Sequence, residues 1–247
     1  MGSSQVVALL AESKFGLTMT TNRVLIWDGC NNVRDLGGLN VSDDYKTRWG
    51  AVVRSDHPAK LTANGWSQLH AHGIRTIISL RTYGLVEEDY LDTTPRLADI
   101  TSIELAIEDF TDSEFIKQWV DTGLWSTPLY YRDALQRWPE RHIAVIKAIA
   151  QAQPGGVLFH CKRGHDRTGI IAILLLALAG VSPEDIVADY ELSVDPIREE
   201  LLAGKHTTTR ETILATLASL DVDNYLLAGG LSQADLDGIR ARLLESR

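Results

Sequence analysis

Apolar residues in this chain recur in two rhythms. Short runs rich in β-branched residues, over 24–27, 51–53 and 157–159, read as strands. Residues 74–80 read as a buried strand by their β-branched content, and 100–107 alternate apolar with polar positions as a further strand does. Between these runs the spacing becomes helical. Thr62 is placed to cap a helix that Gly73 stops. Residues 139–150 put Ile143, Ile146 and Ala150 on one face behind a proline suited to a first turn. Further helices are predicted over 168–179, 182–192, within 207–219 and from Ser232 to the end. Ser182-Pro183-Glu184-Asp185 and Ser232-Gln233-Ala234-Asp235 form capped starts. Asp35-Leu36-Gly37-Gly38 reads as a turn, and residues 108–130 are acidic and aromatic with no clean period. Strands alternating with helices predict an α/β fold with a mostly parallel central sheet flanked by helices on both faces. In such sheets ligands bind beyond the carboxyl ends of the strands. That rule points to His160 and the residues after it.

Composition narrows the class. The 247 residues are 45% hydrophobic and 23% charged, as in an ordinary globular protein. A net charge of -9 argues against nucleic-acid partners and against stable membrane association. The longest apolar run, over 170–179, is about half of a membrane span. Two cysteines make no disulfide framework, and no Cys and His cluster has zinc-ligand spacing. A cytoplasmic protein is expected, with residues 1–22 as an N-terminal arm and 23–247 as one domain.

The segment after the strand at 157–159 reads His160-Cys161-Lys162-Arg163-Gly164-His165-Asp166-Arg167-Thr168-Gly169 and opens an apolar helix. Five residues separate Cys161 from Arg167. A loop of that length can curl so that its N–H groups converge as an anion nest, reinforced by the positive end of the helix. Gly164 permits the tight bend. A free cysteine has a pKa near ~8.5, and such a nest lowers it toward a thiolate nucleophile. Arg167 can hold two phosphoryl oxygens bidentately. Lys162, Arg163, His165 and Arg81 are candidate phosphate contacts. His160 and Gly169 support the loop, and the Thr168 hydroxyl can donate to the sulfur as it leaves. Asp166 is the first choice of general acid, a role that requires a raised pKa. Asp109 and Asp112 stand in reserve. Trp138-Pro139-Glu140 is discounted, since its proline serves as a helix start.

This loop resembles the signature of the cysteine-dependent phosphatases. Asn32-Val33-Arg34-Asp35-Leu36-Gly37-Gly38, Arg54-Ser55, Gly73-Ile74-Arg75-Thr76, Leu80-Arg81 and the stretch from Tyr225 to Leu231 narrow the resemblance to the bacterial tyrosine/serine protein phosphatases of the mycobacterial protein tyrosine phosphatase B type. It covers roughly residues 23–247. It implies a single phosphatase domain, no metal or other cofactor, a cysteinyl-phosphate intermediate, and Asp166 as the acid. The implied substrate is a phosphorylated protein, carrying phosphotyrosine and also phosphoserine or phosphothreonine. Two positions depart from the family pattern: His165 replaces a lysine and Ser79 an aspartate. An unperturbed histidine titrates near ~6.5, so His165 would make one pocket charge pH-dependent. His160-Cys161-Lys162-Arg163-Gly164 is also similar to the loop of inositol pyrophosphate phosphatases, in which Lys162 and Arg163 would meet extra phosphates of a phosphorylated small molecule. A silent phosphate-binding module is a third reading, and a sulfur-transfer or arsenate-reducing enzyme a fourth.

Outside the loop, Arg34 and Asp35 either touch substrate or, as is expected first, form a charge pair beside the glycine turn. Cys30 reads as a small core residue, and His70 and His72 as solvent-facing. Phe110, Phe115, Trp119 and Trp125 either line a lid or pin their segment to the core.

Overall fold

The computed structural model describes residues 23–81 and 98–246, so the arm expected over 1–22 lies outside the described residues. Its strands are β1 (Arg34–Asp35), β2 (Tyr45–Thr47), β3 (Val52–Ser55), β4 (Ile74–Ser79), β5 (Thr101–Glu104), β6 (Gly156–His160) and β7 (Leu244–Ser246). Five of them form one sheet in the order β1-β3-β6-β4-β5. β3, β6, β4 and β5 run parallel, and only β1 is antiparallel. β6 is central, and every one of its residues is buried. A strand covered on both faces must be apolar throughout, as 157–159 are.

Alternate residues of the sheet feed two cores. Val52, Ile78, Val157 and Phe159 join the larger cluster, which is completed by Ile143, Ile146 and the apolar run of residues 170–176. Val53, Ile77 and Leu158 face the other way, onto Trp66, Leu69 and Trp27. The larger cluster is built by α4 (Pro139–Gln151), α5 (Asp166–Ala179), α6 (Pro183–Glu191) and α10 (Gln233–Leu243), with α3 (Tyr131–Arg137), α8 (Thr209–Ala218) and α9 (Val222–Ala228) around it. The smaller one is closed by α1 (Ala63–Ala71). The caps at Thr62, Ser182 and Ser232 form as expected, each side chain accepting an N–H of its own first turn. The mostly parallel sheet flanked by helices on both faces is therefore present. Among the described residues no helix is long and apolar enough to cross a membrane.

Two expectations are corrected. The run at 24–27 contributes only an isolated bridge from Val24 to Arg34, and Ile26 is 88% exposed. The pairing partner in this region is instead the charged dipeptide of β1. The last helix stops at Leu243, and the chain then pairs as β7 with β2 in a separate antiparallel ribbon. α3, α9 and α7 (Pro196–Ala203) were not resolved from the pattern, because each is a short helix of seven or eight residues.

Because Leu158 and Phe159 are fully buried on opposite faces of the central strand, each should matter independently. Leu158→Ala is expected to cost about 2–5 kcal/mol and Phe159→Ala about 3–5 kcal/mol of stability. Urea denaturation followed by circular dichroism measures both, and an unchanged midpoint for either would contradict the two-core description.

Candidate active site

β6 delivers the loop to the carboxyl edge of the sheet, between the ends of β3 and β4, where Ser55 and Ser79 both register with His160. Three successive loop carbonyls are then held from outside. The main-chain N–H of His57 donates to the Lys162 carbonyl at 3.3 Å. The Asn32 amide donates to Arg163 O at 2.9 Å, and Arg54 Nη2 to Gly164 O at 2.9 Å. Carbonyls turned outward leave the alternate groups, the N–H donors, turned inward. Among the described residues nothing accepts from the N–H groups of Lys162, Arg163, Gly164, His165 or Asp166. Such a concave row of donors binds anions. Gly164 makes the bend possible: its φ is +71°, and a Cβ there would stand 2.6 Å from Ser55 O. α5 opens at Asp166 with no side-chain cap, two residues earlier than expected, which brings its positive end against the loop. Cys161 is 2% exposed, yet it belongs to neither apolar cluster. It follows directly on β6, as the first residue of the loop.

The charges that hold the loop come from distant parts of the chain. Asp189 of α6, itself buried, is paired with Arg23, Arg54 and Arg34. These pairs hold its carboxyl well below the usual range despite burial. Arg34 also donates to Asn32 and, at 2.9 Å, to Ser193 Oγ. Burial, then the neighbouring Arg54, lowers its pKa to about 9. Arg34 and Asp35 are therefore not a pair. Neighbours on a strand face opposite ways, and Asp35 instead accepts from Gly37 N and Gly50 N, each at 2.8 Å, and meets His72 at 2.9 Å. His72 is thus tied to a buried carboxylate rather than solvent-facing. His70 is 43% exposed and bonded to Asp99. Cys30 packs against the smaller core, and burial pushes its thiol pKa far up.

Three carboxylates were candidates for the acid. Asp109 is bonded to Thr111, and to Arg141 at 2.8 Å; Thr111 foremost holds its pKa down. Asp112 caps α2 (Ser113–Phe115) and meets Arg137 at 3.0 Å; the Phe115 N–H foremost holds its pKa down. Asp166 is the opposite case. Burial raises its pKa, its Oδ1 has no hydrogen-bond partner among the described residues, and the nearest cation, Arg163, is 3.7 Å from Oδ2. Pro139 opens α4 and Trp138 caps it, so Trp138-Pro139-Glu140 is a helix start.

Arg167 is buried, with Glu108 at 3.8 Å and its guanidinium 5.3 Å from the centre of the Trp125 ring. Glu108 is fully buried and accepts from Tyr130 at 2.8 Å and Trp125 at 3.1 Å. Phe115 is fully buried and meets Trp138 at 4.8 Å and Tyr130 at 6.0 Å. Phe110 stands edge-on to Trp125, and Trp119 lies against Tyr130. These aromatics pin their segment to the core, and Trp125 also covers Arg167. Arg81, at the end of β4, is buried beside His57, whose ring lies 4.8 Å from that of His160. His160 donates from Nδ1 to the Cys161 carbonyl, and burial lowers its pKa to about 3. The Thr168 hydroxyl is buried with no hydrogen-bond partner among the described residues. Lys162 carries no ion pair among them, whereas Arg163 is bound to Asp195 at 2.7 Å. His165 does not supply a titrating charge: burial lowers its pKa to about 4, so it is neutral at physiological pH.

Asp189, Asp195, Arg54 and Glu108 were missed as members of the site. Two of them left a trace in the sequence. Asp195-Pro196 is a helix start, and Asp189 interrupts the buried stripe of Ile186, Val187 and Tyr190 with a carboxylate.

Residues 25–245 match the model of the tyrosine phosphatase family. The chain belongs to that family. A candidate tyrosine-protein phosphatase of Cupriavidus necator is 28% identical over 200 residues, covering 80% of this chain and 70% of that one. A tyrosine-protein phosphatase of Nostoc commune is 35% identical over 153 residues, 58% of this chain and 48% of that one. The triple specificity protein phosphatase PtpB of Mycobacterium tuberculosis is 28% identical over 277 residues, 86% of this chain and 99% of that one. This tyrosine phosphatase is accordingly an enzyme that hydrolyses phosphotyrosine in proteins.

Two outcomes follow for the phosphatase. Asp189→Asn leaves buried arginines without their shared countercharge and should cost about 3–5 kcal/mol, with a loss of kcat/KM as Arg54 releases Gly164; denaturation and turnover assays on one preparation check both. His142, His160 and His165 have pKa values lowered to about 4, 3 and 4 from 6.5, chiefly by burial. The unfolded chain takes up these protons first, so stability should fall as pH drops from about 6.5 toward 4. A denaturation midpoint that stays level over that window would count against three buried neutral imidazoles.

Proposed function

We propose that Cys161 is the nucleophile, Arg167 the phosphate clamp and Asp166 the general acid in hydrolysis of phosphotyrosine on protein substrates. The observation that carries this reading is the row of carbonyls at Lys162, Arg163 and Gly164 held from outside, while the N–H groups of the same loop, directly after Cys161, have no acceptor among the described residues. The thiolate attacks phosphorus, the bond to the tyrosine oxygen breaks, and the Asp166 proton goes to the leaving phenolate. Water then attacks the cysteinyl phosphate, Asp166 recovers a proton from it, and the sulfur leaves with the Thr168 hydroxyl donating to it. Asp166 suits the first step because burial favours its protonated form, whereas Asp109 and Asp112 are held ionised.

Depth supports tyrosine as the main substrate. Cys161 is 2% exposed, so a phosphate must be carried down to it, and a phenyl ring reaches farther than a serine side chain. Phosphoserine and phosphothreonine are weaker substrates on this reading. Lys162 could meet a further phosphate, which is what an inositol polyphosphate would require. Arg163, the other cation of that reading, is already engaged by Asp195 at 2.7 Å. That engagement favours the protein substrate.

Cys161→Ser should abolish turnover of a phosphotyrosine peptide, and Arg167→Lys should lower kcat by about 10³-fold or more, since a point charge replaces a bidentate clamp. Lys162→Ala should reduce kcat/KM no more on inositol polyphosphates than on the peptide. A selective collapse on the inositol compounds would reverse the substrate assignment.

A further inference from the structure

The reaction as described leaves two buried hydroxyls unused. Tyr131 of α3 and Tyr190 of α6 are both fully buried, with their hydroxyl oxygens 2.8 Å apart. They pack on the first turn of α5, at Gly169. A Cβ on that glycine would stand 2.5 Å from Tyr190 Cε2 and 2.8 Å from the Tyr131 hydroxyl. Gly169 lies three residues after Asp166, on the same helix face. The tyrosines therefore wall the side of the helix on which the acid sits. On its far side Tyr190 carries Arg198, whose guanidinium lies 4.9 Å from the ring centre and donates to Ser193 O at 2.9 Å.

Hydrogen-bond accounting links the pair to the acid. When two hydroxyls bond to each other, one donates and the other keeps a spare O–H. Neither tyrosine has another hydroxyl partner among the described residues. One helical turn away, Asp166 Oδ1 has no hydrogen-bond partner among the described residues, so no bond joins it to the tyrosines in the resting structure. A buried donor and a buried acceptor, each unmatched, lie on one face.

We propose that Tyr131 and Tyr190 are positioning residues for Asp166: their rings wall the helix side on which its carboxyl sits, and their spare O–H forms a hydrogen bond to the carboxylate that remains once the acid has fired. This rests on Asp166 as the general acid. The proton given to the leaving phenolate comes from Asp166 and is replaced by one from the attacking water, so the tyrosines exchange none and their O–H bonds stay intact. The remaining charged groups around Asp166 are Arg163 in the loop, Arg167 on α5, Arg198 with Asp195 at α7, and Glu108. Each of these cations already faces an acid, Arg163 meeting Asp195 at 2.7 Å, Arg167 meeting Glu108 at 3.8 Å and Arg198 meeting Glu199 at 3.0 Å, so none is dedicated to a new carboxylate there. The raised tyrosine pKa values, from burial foremost and the Asp166 charge with it, agree with hydroxyls that stay protonated beside an anion.

The test uses the full chain and a series of aryl phosphates whose leaving phenols span a range of acidity. Tyr131→Phe and Tyr190→Phe keep the rings and remove one hydroxyl each. In either single variant the surviving hydroxyl is released from its partner and still serves Asp166, so kcat should change less than about threefold. The double variant removes the donor. It should lose about tenfold on the most basic leaving groups, little on the most acidic, and move the basic limb of the pH profile upward, because the carboxylate loses a hydrogen bond that favours it. Wild-type leaving-group dependence and pH profile in a folded double variant would overturn the proposal. Asp166→Asn, run alongside, separates the two claims. If it steepens leaving-group dependence while the double tyrosine variant does not, only the tyrosine role fails. If it leaves that dependence unchanged, the acid assignment fails and the tyrosine role with it.

Discussion

One buried carboxylate organises this enzyme. Asp189 gathers Arg23, Arg34 and Arg54, and Arg54 passes the constraint directly to the loop through Gly164 O. The arrangement is unbalanced in charge. Three guanidiniums surround one acid, so excess positive charge is stored beneath the phosphate nest. Burying such charge is costly, and a bare hydrophobic core would be cheaper. A phosphate dianion or a thiolate in the nest would offset that excess. Binding and chemistry are thus wired into the same residues that fix the fold, and the framework is prepared before substrate arrives.

The neighbouring layer works through packing rather than charge. From Phe110 through Phe115, Tyr130 and Tyr131 to Tyr190, successive rings meet at centroid separations of 5.0 to 6.3 Å. This ladder runs from the irregular stretch after β5 to the base of the loop helix. Rigid rings lose little entropy on ordering, so a segment with no regular period can still hold Trp125 over Arg167. The two supports, ionic on the β1 side and aromatic on the α3 side, leave the loop little freedom.

What could be read from the chain divides along the same line. The strand at 157–159, the loop and the helix after it are contiguous, and their signals are local: an apolar run, a glycine, a helix mouth. The parallel sheet and the caps at Thr62, Ser182 and Ser232 were legible for that reason. What escaped depends on pairs far apart in sequence. Arg34 and Asp35 look like natural partners, yet the pleat sends one to Asp189 and the other to Gly37, Gly50 and His72. β1 is two residues long and charged, so no periodicity could announce it. His165 looked titratable because its residue type is, and only its burial shows otherwise. Asp195 and Glu108 act through contacts that no spacing rule encodes.

The tie between Arg163 and Asp195 carries one last implication. Asp195 also caps α7, accepting the Arg198 N–H at 3.3 Å. A ligand group that pulled Arg163 toward itself would loosen the start of that helix, together with Val194 and Ile197, which stand 77% and 67% exposed on either side of the cap. Arg163, the start of α7 and this exposed apolar pair are thus joined through one carboxylate. An apolar docked chain that leaves Arg163 alone would keep that helix start intact, whereas one rich in anions would compete for it.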